Sequence, residues 1–194
     1  MASKKWCWLL SIAVAVGTLV SGCGSSPAVK FYMLSPQSKP EVASSQLAIK
    51  VGPADFPRAL DRSQIVTRIS STQVAVNQFN VWSAPLESQF LNVLGDDLGN
   101  LLGTNSIVTF PNEASGSLDY QILLDVLQFD GAIGGSVSLR TRWSIVAPGR
   151  GTLDSGLFDQ SIAVEGNGYD ALVAGHSKLV SMLAAALAQR IGAL

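Results

Sequence analysis

Apolar positions along this chain recur with two different periods, and the switch between them marks out the elements. Lys30-Phe31-Tyr32-Met33-Leu34 reads as a short strand, and Leu47-Ala48-Ile49-Lys50-Val51 alternates until Gly52-Pro53 stops it. The β-branched run from Gln64 to Ile69 and the alternating Gln73 to Val76, either side of Ser70-Ser71-Thr72, predict a hairpin. From Leu86 the period lengthens: Leu86, Phe90, Leu94, Leu98 and Leu101 form one stripe, widened by Leu91 and Leu102. Ser83 is a candidate cap and Pro85 suits a first turn, so an amphipathic helix is expected to run as far as Gly103.

Ser106 to Phe110 predicts another short strand. Leu118 to Phe129 and Ser136 to Ala147 are longer ones, joined through the glycine-rich stretch from Asp130 to Gly135. Tyr120, Ile122, Leu124 and Val126 fall on one side, the pattern of an antiparallel pair with one buried face. Pro148-Gly149-Arg150-Gly151 turns the chain into a strand from Gly156 to Val164. After Gly166-Asn167-Gly168, a stripe of Leu172, His176, Leu179, Val180, Leu183, Leu187 and Ile191 predicts a second helix over Tyr169–Ile191. Ser35 to Ser45 reads as a flexible loop and Asp55 to Arg62 as a turn region. The order β-β-β-α-β-β-β-β-α predicts an α/β (α+β) sandwich: a mixed, largely antiparallel sheet packed by two amphipathic helices. No internal repeat of solenoid length is present.

The start of the chain follows a different plan. Lys4 and Lys5 precede an apolar run from Trp6 to Val20, which closes with Val20-Ser21-Gly22-Cys23. A charged segment, a short apolar segment and small residues at a cleavage point describe a secretory signal. The run is shorter than the roughly 20 residues of a membrane-spanning helix. No A-x-A-like site is present; the aliphatic residue, Ser and Gly before Cys resemble the bacterial lipobox, whose Cys is acylated and becomes the first residue. That resemblance predicts Cys23 as an N-palmitoyl, S-diacylglycerol cysteine, its acyl chains anchoring the protein at about 0.8 kcal/mol per buried methylene. The alternative is a soluble secreted protein with an accidental Cys at the cut. Lipoproteins kept in the inner membrane often carry Asp after the Cys; Gly24 here implies the periplasmic face of the outer membrane. The expected organisation is a removed signal peptide (1–22), a lipidated tether (23–29) and a single domain (30–194).

Composition narrows the chemistry. The 194 residues hold 13 Lys+Arg against 14 Asp+Glu, and Lys4 and Lys5 leave with the leader, so the mature chain is mildly acidic. That balance argues against nucleic acid as a partner. Of two cysteines, Cys7 leaves with the signal and Cys23 is acylated, so neither a disulfide nor a free thiol is expected. Stability must come from an apolar core, which about 170 residues can build.

Catalytic constellations are absent from the sequence. The one histidine, His176, sits on an apolar helix stripe and reads as a partly buried structural residue, and no G-x-S-x-G elbow supplies a nucleophile. One His and no free Cys make a zinc site of usual ligands untenable. Gly131, Gly134 and Gly135 precede a strand rather than a helix, so they read as a hairpin loop and not a phosphate cradle. Asp96-Asp97 point about 100° apart on a helix and read as a solvated face. Asp61, Arg62 and Arg68 are candidates for an ion-pair network or a partner surface. No enzyme, metal or cofactor is expected.

Several segments together resemble the ABC-type transport auxiliary lipoproteins: the lipobox at Cys23, Lys30 to Leu34, Val51-Gly52-Pro53 and Leu60-Asp61-Arg62-Ser63-Gln64-Ile65-Val66-Thr67-Arg68. Trp82-Ser83-Ala84-Pro85-Leu86, Val93-Leu94, Leu98, Phe129, Val137 to Trp143 and Tyr169 to Ser177 extend the likeness over the mature chain. Ser63 stands where proline is more usual. The resemblance implies a compact α/β sandwich on the periplasmic side of the outer membrane, in a system with an MCE-domain protein and inner-membrane transport components. Such systems move lipids or other hydrophobic molecules between membranes. Docking of a periplasmic tunnel, with homo-oligomerisation, is the reading this favours; the alternatives are a lipid-binding carrier and a lipid-anchored hydrolase. Asp61, Arg62 and Arg68 carry over as a polar network or a brace for their loop.

Overall fold

The computed structural model describes residues 27–39 and 44–194; the leader, the lipobox and Cys23 lie outside the described residues. Among the described residues, eight strands and two helices follow in the order β-β-β-β-α-β-β-β-β-α. The strands are β1 (Lys30–Tyr32), β2 (Ile49–Asp55), β3 (Gln64–Arg68), β4 (Val74–Trp82), β5 (Ile107–Thr109), β6 (Tyr120–Gly131), β7 (Ser136–Ala147) and β8 (Gly151–Ala163). The helices are α1 (Leu86–Leu102) and α2 (Tyr169–Ile191). The expected order counted three strands before α1; the hairpin contributes two, which makes four.

All strands share one mixed sheet, and its long ladders are antiparallel: β6 with β7 and β7 with β8. β6 organises the rest. One of its edges runs along β7, while the other divides. Its first half pairs in parallel with β2, from Ile49 opposite Tyr120 to Asp55 opposite Asp125, and its end meets β3 at Thr67 opposite Gly131. β5 extends the first branch beyond β2, and β4 then β1 extend the second beyond β3.

Helical and strand stripes meet on one face of this sheet. Phe90, Leu94 and Leu98 of α1 and Leu172, Leu179 and Leu183 of α2 are fully buried, as are Ile122, Leu139 and Ile145 of the sheet. Burying a large aliphatic side chain contributes about 1.5–3 kcal/mol, so this layer supplies the main stabilisation. α2 is long and apolar enough to span a bilayer, with mean hydropathy 1.5, yet its apolar stripe is packed against the sheet and α1 as a core helix.

Four local expectations need correction. Gly52-Pro53 does not end β2: Gly52 adopts φ 100°, and the strand continues past a register shift between Val51 and Ala54. β8 begins at Gly151, not Gly156, because a tight turn (Arg150 N–H to Ala147 O, 3.0 Å) lets β7 template it at once. Ser83 is not a cap; Pro85 holds that position, and the Ser83 N–H donates to Tyr32 O at 2.8 Å. Leu101 lies on the predicted stripe but is exposed, because burial on α1 stops at Leu98, one turn before the helix ends.

Candidate functional site

Where β6 passes from one partner strand to the other, the sheet edge is left open. The chain bridges that gap with the loop between β2 and β3, pinned by Leu60 in the core and by bonds from Leu60 N–H to Pro57 O and Trp82 N–H to Ser63 O. Phe56 packs edge-on against Phe90 at 5.3 Å between ring centres, anchoring the loop's first residue. Between this loop and the start of α1 lies an open cleft of about 570 Å³. Phe56, Leu60, Trp82 and Leu86 line its wall, and Asp55, Arg58, Asp61, Arg62 and Glu87 its rim.

Among the described residues none of the five rim charges is in an ion pair. Partial burial, and then the Asp61 and Asp55 carboxylates, raise the pKa of Glu87, with the Ala54 backbone partly offsetting them. The rim therefore presents uncommitted charge of both signs around an apolar wall, an arrangement that suits a polar macromolecular surface.

Arg68 is not at the cleft. It reaches across the sheet to Asp130, with Nε to Oδ1 at 3.1 Å and a second bond from Nη2 to Oδ2. Gln128 Nε2 donates to the same carboxylate at 2.8 Å. Burial alone would raise the Asp130 pKa, but the bonds from Arg68 and Gln128 outweigh it and hold the carboxyl low. Asp61, Arg62 and Arg68 thus occupy two places: two on the cleft rim, one in an inter-strand clamp.

His176 is buried on α2, tilted 4.6 Å from the Phe129 ring and edge-on to Trp82. Neither ring nitrogen has a hydrogen-bond partner among the described residues. Burial lowers its pKa to about 4, against the opposing pull of Asp130, so the ring is neutral. Among the described residues no three His, Cys, Asp or Glu side chains gather as metal ligands.

Asp97 corrects the expected solvated acidic pair. Asp96 is exposed, but Asp97 is fully buried and its Oδ1 accepts the backbone N–H groups of Gln37 and Ser38 at 2.9 and 2.8 Å. The segment after β1, expected to be flexible, is tied to α1 through that carboxylate and to α2 through Ser35 N–H to Ser177 Oγ at 3.2 Å. Asp97 and Asp130 were not legible as bracing acids, because their partners lie far away in sequence. Arg58, Trp82 and Glu87 were likewise not legible as cleft residues, since only the fold of the loop assembles them.

A two-layer α/β domain with an open cleft and bracing ion pairs is the class that fold and site define. Residues 32–188 match the family model described as ABC-type transport auxiliary lipoprotein component, and the chain belongs to that family. The family is one of transport auxiliary lipoproteins rather than of enzymes. Among solved structures, a crystallised uncharacterised protein superposes with TM-score 0.71 at 21% identity, covering 85% of this chain and 99% of its own. A DUF330-family protein from Xanthomonas campestris superposes with TM-score 0.65 at 13% identity, covering 82% and 93%. At these identities the likeness is one of fold. No curated protein sequence matches the chain.

Proposed function

We propose that this protein is a lipid-anchored, non-enzymatic component of an intermembrane transport system, docking a periplasmic tunnel at the outer membrane. The family match beginning at residue 32, directly behind the lipobox Val20-Ser21-Gly22-Cys23, carries this reading. Residues 1–22 act as a signal peptide, Cys23 takes the acyl chains, and 23–29 tether the domain 30–194 to the periplasmic face. The partner is an MCE-domain protein with its inner-membrane transport components, and copies on the membrane associate. Confinement to a surface raises their effective concentration without new contacts.

Docking is supported over carrying by the packing. The layer between sheet and helices is filled by side chains with no exposure, Phe90, Leu94, Leu139 and Leu183 among them. The cleft has the volume of an ordinary ligand pocket, which keeps the carrier as a second reading, but it is open and its rim is charged. Asp61 and Arg62 on that rim are the proposed partner contacts.

Affinity capture of the tagged protein from crosslinked cells, read by mass spectrometry, tests this. Recovery of an MCE-domain protein is expected; recovery of the protein alone with stoichiometric lipid would move the assignment to the carrier. Intact-mass analysis should show the acyl mass at Cys23, and Cys23→Ala should lose both that mass and outer-membrane fractionation. An acyl-free wild-type protein would refute the anchor.

A further inference from the structure

Large apolar side chains that the domain leaves exposed concentrate around one end of the sheet. Strand directions define that end. β3 and β6 finish there together, with Thr67 opposite Gly131, and β4 starts there, with Val74 opposite Arg68. β1 runs parallel to β4, so the chain enters the domain from the same side. At the tip stand Ile69, Val74 and Ile133, with Val76, Val29 and Phe31 behind them along the edge; Phe31 is 70% and Ile69 61% exposed.

The tip is braced. Arg68, clamped to Asp130, also donates from Nη1 to the carbonyls of Ser70 and Ser71 at 3.4 and 3.5 Å. Ile69 and Ser70 N–H both donate to Gln73 O, closing the turn. Ile69 and Val74 are therefore held outward by a fixed hairpin rather than left to collapse on the core.

Given the acylation of Cys23 proposed above, we infer that this tip is a second membrane contact: it rests in the headgroup–acyl boundary of the bilayer that holds the anchor. Tether length limits the choice. Six residue steps separate Cys23 from Val29, at most about 20 Å of extended chain. The 12 residues of β6 span about 40 Å, so the far end of the sheet is out of the bilayer's reach while the tether end is beside it. Exposed apolar patches of this kind mark protein or membrane contacts. Arg68, the cation at this tip, is already paired with Asp130, so the contact is apolar and insensitive to salt.

The test uses the acylated mature protein in phosphatidylcholine vesicles, with nitroxide labels at Ile69→Cys, Val74→Cys or Ile133→Cys. Leu157→Cys and Phe110→Cys, also exposed but away from the tip, serve as controls. The expected result is a ratio of accessibility to dissolved oxygen over aqueous nickel chelate about threefold higher at the three tip sites than at the controls, unchanged by salt. Equal ratios at all five sites, on protein whose mass shows an acylated Cys23, would overturn the tip contact and leave the anchor intact. Tip labels hidden from both reagents and spin-coupled between molecules would assign the tip to a second copy and overturn it as well. An unmodified Cys23 would remove the anchor and this proposal together.

Discussion

His176 buries an ionisable ring whose nitrogens find no partner among the described residues, and its pKa falls to about 4 from 6.5. In the unfolded chain the ring takes a proton near pH 6.5, while in the folded domain it resists until about pH 4. The neutral ring's contribution to stability is therefore complete above the unfolded value and is lost as pH falls toward 4. Denaturant midpoints measured across this range should fall with a slope approaching one proton, and His176→Leu should flatten that part of the curve. A slope unchanged by the substitution would assign the acid sensitivity elsewhere. Partial burial of His176 was legible in the sequence, since it occupies an apolar stripe of a helix; its full burial was not. The burial of Asp97 was not, because it faces a segment some 60 residues earlier that must fold back to meet it.

At the scale of elements, the two helices and the β6–β7 hairpin form almost where periodicity puts them, α2 and β7 with both ends as expected. Errors fall where a neighbour, not the local pattern, sets the boundary. β8 starts early because β7 is already present to pair with it, and β2 continues through Gly52-Pro53 because β6 supplies the ladder beyond the bulge. Gly52 is needed there on two counts. Its φ of 100° is costly for any other residue, and a Cβ would lie 2.9 Å from Phe110 Cβ and 3.1 Å from Leu91 Cδ1. Gly52→Ala should cost at least about 2 kcal/mol in urea denaturation. A loss below about 0.5 kcal/mol, the size of an ordinary surface change, would show that the bulge relaxes.

Over the whole molecule, division of one β6 edge between two partners opens the cleft and separates two kinds of charged residue. Arg68 joins the strands into one sheet, whereas Asp61 and Arg62 face outward on a loop already held by Leu60 and Phe56. Exchanging the latter pair as Asp61→Lys with Arg62→Glu should leave stability within about 0.5 kcal/mol, as surface changes do. The same exchange should reduce crosslinking to the proposed MCE-domain partner severalfold. Loss of stability in place of crosslinking would make the pair structural and remove the cleft from the docking surface.

Taken by itself, the sequence determined the kinds of element, most of the buried stripes and the family. Those depend on side-chain periodicity and on contiguous motifs, which act over a few residues. The tertiary structure alone decided which strands share an edge, which charges brace and which stay uncommitted, and that β1 enters the sheet from the end bearing Ile69, Val74 and Ile133. Each depends on contacts between distant segments, whose energies exist only once the chain has brought those segments together.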